Sequence, residues 1–216
     1  MGIEGAEKLY CAYLEKKDNR WEYGNSILYR MCDEAPHHDR SDIIVGKLWL
    51  IGRSYTAAIE RRKNADKEDD FYYDIVAPKM LEIGKELDNR LAQLKLCDGR
   101  IAENITDVLE THKYLMDAFF EITRLEKRSL ASKYLHFHCP DMFFIYDSRA
   151  RTRINQYIKK PDKSVISNLD YYDKEYSDFV CRMLALQTYL YEKTGIYPQP
   201  RLLDSFLLHS DDVLQR

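Results

Sequence analysis

The sequence predicts an all-α protein, on three observations. Apolar residues recur at helical spacing in nearly every segment. Almost no stretch alternates with period two, as a half-buried strand would. Of 216 residues only eight are Gly and six Pro, too few turn formers for a chain of many short strands.

The elements follow in order. Ile3 to Lys17 is amphipathic, with Leu9, Tyr10, Tyr13 and Leu14 on one stripe. Gly24-Asn25-Ser26 reads as the cap of a short helix through Met31, and residues 33 to 40, DEAPHHDR, as a polar turn. A long helix is expected from Asp42 to about Asn64, burying Ile44, Leu48, Ile51, Tyr55 and Ala58. ADKEDD, residues 65 to 70, is a solvated link. A second long helix covers Phe71 to about Leu96 and closes at Cys97-Asp98-Gly99. Thr106 to Arg124 is helical, with Leu109, Tyr114, Met116, Phe119 and Phe120 inward. An apolar helix then ends at Cys139-Pro140, and a strand-like piece, Met142 to Tyr146, leads to Asp147. Further helices run from Ser148 to Tyr157, Leu169 to Lys193 and Pro200 to His209. No repeat or low-complexity tract divides the chain, so a single domain over 1–216 is expected, two-lobed, with its motif-bearing core at 42–160.

Composition narrows the classes. With 45% hydrophobic and 32% charged residues the chain reads as globular, not disordered. Its apolar runs fall far short of the roughly 20 residues that span a bilayer, and no segment reads as a secretory signal. Five scattered cysteines without a CxxC suit reduced thiols in a cytoplasmic protein. Net charge is only −3, but it is unevenly spread: residues 124 to 163 hold ten Lys and Arg against four acids, a net +6 that leaves −9 elsewhere. Such asymmetry marks either a polyanion-facing surface or a helix face paired with acids from other elements.

Most catalytic motifs are missing. There is no Walker loop, GxGxxG or GxSxG. His136-Phe137-His138-Cys139 has the residue types of a zinc site, but on a helix the two histidines point about 200° apart and no second cluster follows at ligand spacing. His138 falls on the core stripe, and His136 on a more polar side with Ser129, Ser132 and Lys133. The seventeen tyrosines are material for a core or for stacking on bases. The unusual stretch is 142 to 153. It delivers a single acid, Asp147, between Tyr146 and three alternating cations, Arg149, Arg151 and Arg153. Asp-Ser at the start of a helix is favourable capping chemistry, and a carboxylate so placed is also suited to stabilising a cationic transition state.

RSLASKYLHFHCPDMFFIYDSRARTRI, residues 128 to 154, resembles the core of the helix-hairpin-helix DNA glycosylases. Ser129 stands 18 residues before Asp147 and Arg128 stands 19 before it, the spacing between the family's Lys-or-Ser position and its essential Asp. FFIYDSRARTRI is similar to the run that carries that Asp. LIGRSYTAAIERR, residues 50 to 62, is similar to an early helix whose start probes the opened duplex, which places Arg53, Ser54 and Tyr55 there. The family hairpin, usually L-P-G-V-G, is replaced by TRLEK, Thr123 to Lys127, without glycine; Lys127, Arg128 and Lys133 are available for phosphate in its stead. The resemblance implies a monofunctional enzyme acting as a monomer on double-stranded DNA with a modified or damaged base, using no cofactor and no metal. It implies catalytic roles for Asp147 and Ser129, with Lys133 one turn further on as a candidate amine. Duplex contacts would come from Arg53, Ser54, Tyr55, Lys127, Arg128, Arg149, Arg151 and Arg153, and a base pocket from Tyr146 and His136. The Tyr-rich, hairpin-poor chain is further similar to a branch of the family that excises glucosylated hydroxymethylcytosine from phage DNA. The alternative is a non-catalytic DNA- or protein-binding module in which Asp147 only caps a helix.

Overall fold

The computed structural model describes residues 2–16, 21–63, 70–97, 100–166, 168 and 170–214, with the side chains of 210–214 excepted. Among these residues the chain is all helical: α1 (Ala6–Glu15), α2 (Glu22–Glu34), α3 (Ser41–Ser54), α4 (Ala77–Lys95), α5 (Ile105–Thr123), α6 (Arg128–His138), α7 (Ser148–Tyr157), α8 (Lys174–Thr194) and α9 (Pro200–Leu214). A wide π-helical turn, Phe71–Val76, leads into α4, and a 3₁₀ turn, Ile101–Asn104, into α5. No described helix is long and apolar enough to cross a membrane, and all five cysteines are free.

The more extensive contacts sort the helices into two sets. One is α2 to α6, where α4 packs on α3 and α5, and α6 on α2, α3 and α5. The other joins α1 to α7, α8 and α9. A single apolar cluster from Ala6 to Leu207 runs through both. Phe119, Phe137, Phe143, Phe144, Phe179 and Phe206 are fully buried in it, at roughly 1.5–3 kcal/mol each for a side chain of that size.

Several boundaries differ from the sequence reading. Residues 24–26 lie inside α2, not at its cap, and the Ser26 hydroxyl donates to the Tyr23 carbonyl (2.8 Å). The long third helix stops at Ser54, short of Ala58: Tyr55 N–H still reaches Ile51 O, but Thr56 turns left-handed (φ 52) and Ala57 N–H closes on Gly52 O at 2.8 Å. This is a helix stop with Thr where glycine is usual. Its expected end at Asn64, residues 65–69 of the link, and Asp98-Gly99 lie outside the described residues. The eighth helix starts at Lys174, capped by Asp173, whose Oδ1 accepts Tyr176 N–H (2.7 Å), and the ninth runs on to Leu214.

The 33–40 turn is not simply polar. His38 is buried, donating from Nδ1 to Asp88 Oδ1 (2.5 Å) and accepting the Tyr134 hydroxyl at Nε2 (2.8 Å). Only glycine fits beside it on α4, since a Cβ at Gly84 would stand 2.5 Å from the His38 carbonyl oxygen.

Candidate active site

The segment from Cys139 to Asp147 explains the site's position. Met142 to Tyr146 is buried throughout but joins no sheet, so its backbone polar groups need side-chain partners. They come from two helices. His136 Nδ1 donates to Phe143 O (2.8 Å) and the Tyr176 hydroxyl to Phe144 O (3.1 Å), while Ser132 Oγ accepts Tyr146 N–H (3.0 Å). The run is thereby clamped between α6 and α8 and hands Asp147 to the start of α7.

Asp147 is extended (φ −149°, ψ 172°) and is the N-cap of α7, its Oδ1 accepting Ala150 N–H at 2.8 Å. One oxygen is thus fixed on the helix terminus and the half-exposed side chain is held in place. Below it on α6, Lys133 is buried and donates to Ser129 Oγ at 2.7 Å. Its ammonium lies 5.8 Å from the centre of the Tyr55 ring. Burial lowers the Lys133 pKa, against which the charges of Asp147 and Asp204 act. The Tyr55 hydroxyl donates to Asn25 Oδ1 (2.6 Å), and burial raises its pKa to about 12.

α9 completes the cluster from beyond the expected motif. Asp204 is buried, with Oδ2 on Arg201 Nη1 at 2.9 Å and Oδ1 without a hydrogen-bond partner. Burial pushes its carboxyl up to about 7; Arg201, Lys133 and Arg149 oppose the rise and Asp147 adds to it. The sequence reading passed over Asp204, although a signal existed. It lies between Leu203 and Phe206-Leu207, all buried, so an acid occupies the apolar face of an amphipathic helix, where acids are rare unless paired. Asn25 and Arg201 were missed as well, since neither stands in any motif.

Of the residues singled out in the sequence, Asp147, Ser129, Lys133 and Tyr55 come together here. Others are engaged elsewhere. Arg128 bonds to Asp173 (2.5 and 2.7 Å), Glu175 (2.9 Å) and Glu126 (3.0 Å), and Arg151 pairs with Glu175 (2.7 Å). The Tyr146 hydroxyl also donates to Glu175 (2.5 Å). Together these side chains form an ion-pair network at the α6 and α8 N-termini. Lys127 donates to Ala58 O (3.0 Å), and burial brings its pKa down to about 8. Arg53 grips Glu60 with two nitrogens (3.0 and 2.5 Å) and Ser54 is exposed. Arg153 donates to Gln156 (3.3 Å), and Arg149 is exposed beside the cluster. His136, expected on a polar side, is wholly buried: with Nδ1 donating, its Nε2 accepts the Tyr29 hydroxyl (2.7 Å), and burial depresses its pKa to about 3. His138 is buried too but faces away, stacked on His38 at 4.9 Å.

Of the TRLEK stretch, Thr123 ends α5 and the other four residues form the loop to α6. Arg124 takes the left-handed position (φ 56) after the helix, and Thr123 Oγ1 donates to Phe119 O (2.7 Å) while accepting Leu125 N–H (3.2 Å).

The arrangement holds a fixed carboxylate, a buried amine on a hydroxyl and a second, high-pKa carboxyl. Comparison with known proteins places nothing beside it: no family model, no curated protein and no solved structure matches the chain.

Proposed function

We propose that the protein is a monofunctional DNA N-glycosylase whose catalytic carboxylate is Asp147. The observation that carries the reading is the capped Asp147 set beside the buried Lys133–Ser129 pair. Breaking an N-glycosidic bond leaves positive charge on the sugar, and a carboxylate held in place gains strength as that charge develops. The target base leaves the stack to reach the site, at a cost of a few kcal/mol, and water then completes the reaction to give an abasic site. Ser129 and Lys133 hold the floor of the site. The exposed rings of Trp21 and Tyr23, which open α2 just before Asn25, are suited to stacking on bases. Arg149 supplies a phosphate contact at the α7 N-terminus. The substrate reading that goes with the resemblance is glucosylated hydroxymethylcytosine in phage DNA, in a cytoplasmic, monomeric defence enzyme.

One observation favours a second reading. Asp147 Oδ1 is spent on Ala150 N–H, which suffices for a helix cap in a module that binds DNA or protein without turnover. Asp147→Asn separates the two. Asn caps a helix about as well as Asp, so duplex binding and melting temperature stay as they are in both cases. The glycosylase reading expects single-turnover base release to fall at least a hundredfold; unchanged function in the Asn variant establishes the cap alone.

A further inference from the structure

We propose that Asp204 is a second catalytic residue of this site, the general acid that protonates the departing base. The inference rests on the glycosylase reading. Its geometric ground is independent of the motif that suggested that reading, because Asp204 comes from α9, outside the resemblance. The carboxyl is buried and anchored through Oδ2 to Arg201 at 2.9 Å, while Oδ1 has no hydrogen-bond partner. An unsatisfied buried oxygen costs of order 1–3 kcal/mol, which a hydrogen bond to a bound base would relieve. The groups that act on its charge belong to the site or its walls: Asp147 and Arg149 on α7, Lys133 on α6, Arg201 one turn earlier on α9, and Tyr29 and Tyr55 from α2 and the end of α3. The Asp204 carboxyl therefore belongs to the same cluster as Asp147.

Two carboxyls in contrasting surroundings divide the acid and stabilising roles. Asp147 stands half-exposed as the N-cap of α7, open to the solvent side of the site. Asp204 lies in a buried position where its proton is retained into the neutral range. In the step assigned, the C1′–N bond breaks with its electron pair moving onto the base. The Asp204 proton passes to a ring nitrogen or carbonyl oxygen of that base. Water bonds to C1′ and gives its proton to Asp147, and return of that proton to Asp204 resets the site. The products are the free neutral base and an abasic sugar. Asp204 is buried, so the assigned step requires the flipped base to displace a covering side chain, and Tyr55, whose hydroxyl is tethered to Asn25, is the one we assign.

The test is the pH dependence of single-turnover base release, on whichever of unmodified, oxidised or glucosylated hydroxymethylcytosine DNA the wild-type protein cleaves, for wild type, Asp204→Asn and Asp204→Glu. Wild type should lose rate about tenfold per pH unit above the Asp204 titration. Asp204→Asn should bind duplex normally, release base about 10²–10⁴-fold more slowly and lose that alkaline limb, and Asp204→Glu should recover part of both. An Asn variant with wild-type rate and the same limb overturns the general-acid role and leaves the glycosylase reading standing. No base release by wild type from any of the three DNAs overturns both. Should the Asn variant not fold, carbon-13 NMR of the wild-type carboxyls decides: the role requires the Asp204 titration to coincide with the alkaline limb, and a clear separation of the two rules it out.

Discussion

Burial at the residue scale sets an opposed pair of pH responses. His112 and His136 are buried and neutral, with pKa values pressed down to about 4 and about 3; His38 and His138 are shifted the same way. Between those values and about 6.5 the unfolded chain takes up protons that the folded chain refuses, so stability is full above pH 6.5 and falls as pH drops. Asp204 acts in the other direction. Its folded carboxyl keeps a proton up to about 7 that the unfolded chain releases near 4, so its share of stability is full below pH 4 and is lost as pH rises to 7. Urea midpoints for wild type and Asp204→Asn should therefore differ in pH dependence. The Asn variant gains on wild type steadily from pH 4 to pH 7, reaching a few kcal/mol, and parallel curves would show that Asp204 titrates like an exposed carboxyl.

The element scale shows what local chemistry makes legible. α7 runs from Ser148 to Tyr157 as read from sequence, because Asp-Ser carries its own start signal and the cap hydrogen bond is local. The end of α3 is not legible because its stop has no glycine: Thr56 takes the left-handed position, and Ala57 N–H on Gly52 O and Arg53 on Glu60 close the turn around it. The Met142–Tyr146 run was legible as buried and extended, whereas its partners were not, because His136, Ser132 and Tyr176 meet it only in three dimensions. Asp204 was lost for a related reason: an acid on a helix reads as solvated until its face is known. Arg124 offers a direct check on the hairpin. It occupies the left-handed C′ position of α5 and is exposed, so Arg124→Gly should raise stability by about 0.5–1 kcal/mol, read as a higher melting temperature. A loss would mean that the Arg side chain contributes more than its backbone strain costs.

At the scale of the whole molecule, Lys133 on α6 and Tyr55 at the end of α3 meet the charges of Asp147 on the α7 cap and Asp204 on α9, so the candidate site lies between the two helix sets. The excess of positive charge in residues 124–163 divides between two uses. Arg128 is structural: it is mostly buried and holds Asp173 and Glu175 at the start of α8. Arg128→Ala should cost about 3–5 kcal/mol by stranding Asp173. Arg149 is exposed at the α7 N-terminus, and Arg149→Ala should leave the melting temperature unchanged while lowering the salt slope of duplex binding by about 1. Salt-dependent binding titrations beside thermal melts separate the two. A matching loss of binding in both variants, without a stability difference, would place Arg128 on the DNA after all.

The central claim is that the junction around Asp147 cleaves N-glycosidic bonds, and release of a free base tests it most directly. Purified protein would be incubated with unmodified DNA, oxidised or alkylated DNA, and phage DNA carrying glucosylated hydroxymethylcytosine. Mass spectrometry identifies any liberated base, and mild alkali converts abasic sites to strand breaks. One class of substrate should yield free base and alkali-labile sites with wild type and neither with Asp147→Asn. Intact DNA from all three, with duplex binding retained, contradicts it and leaves Asp147 as the cap of a binding module.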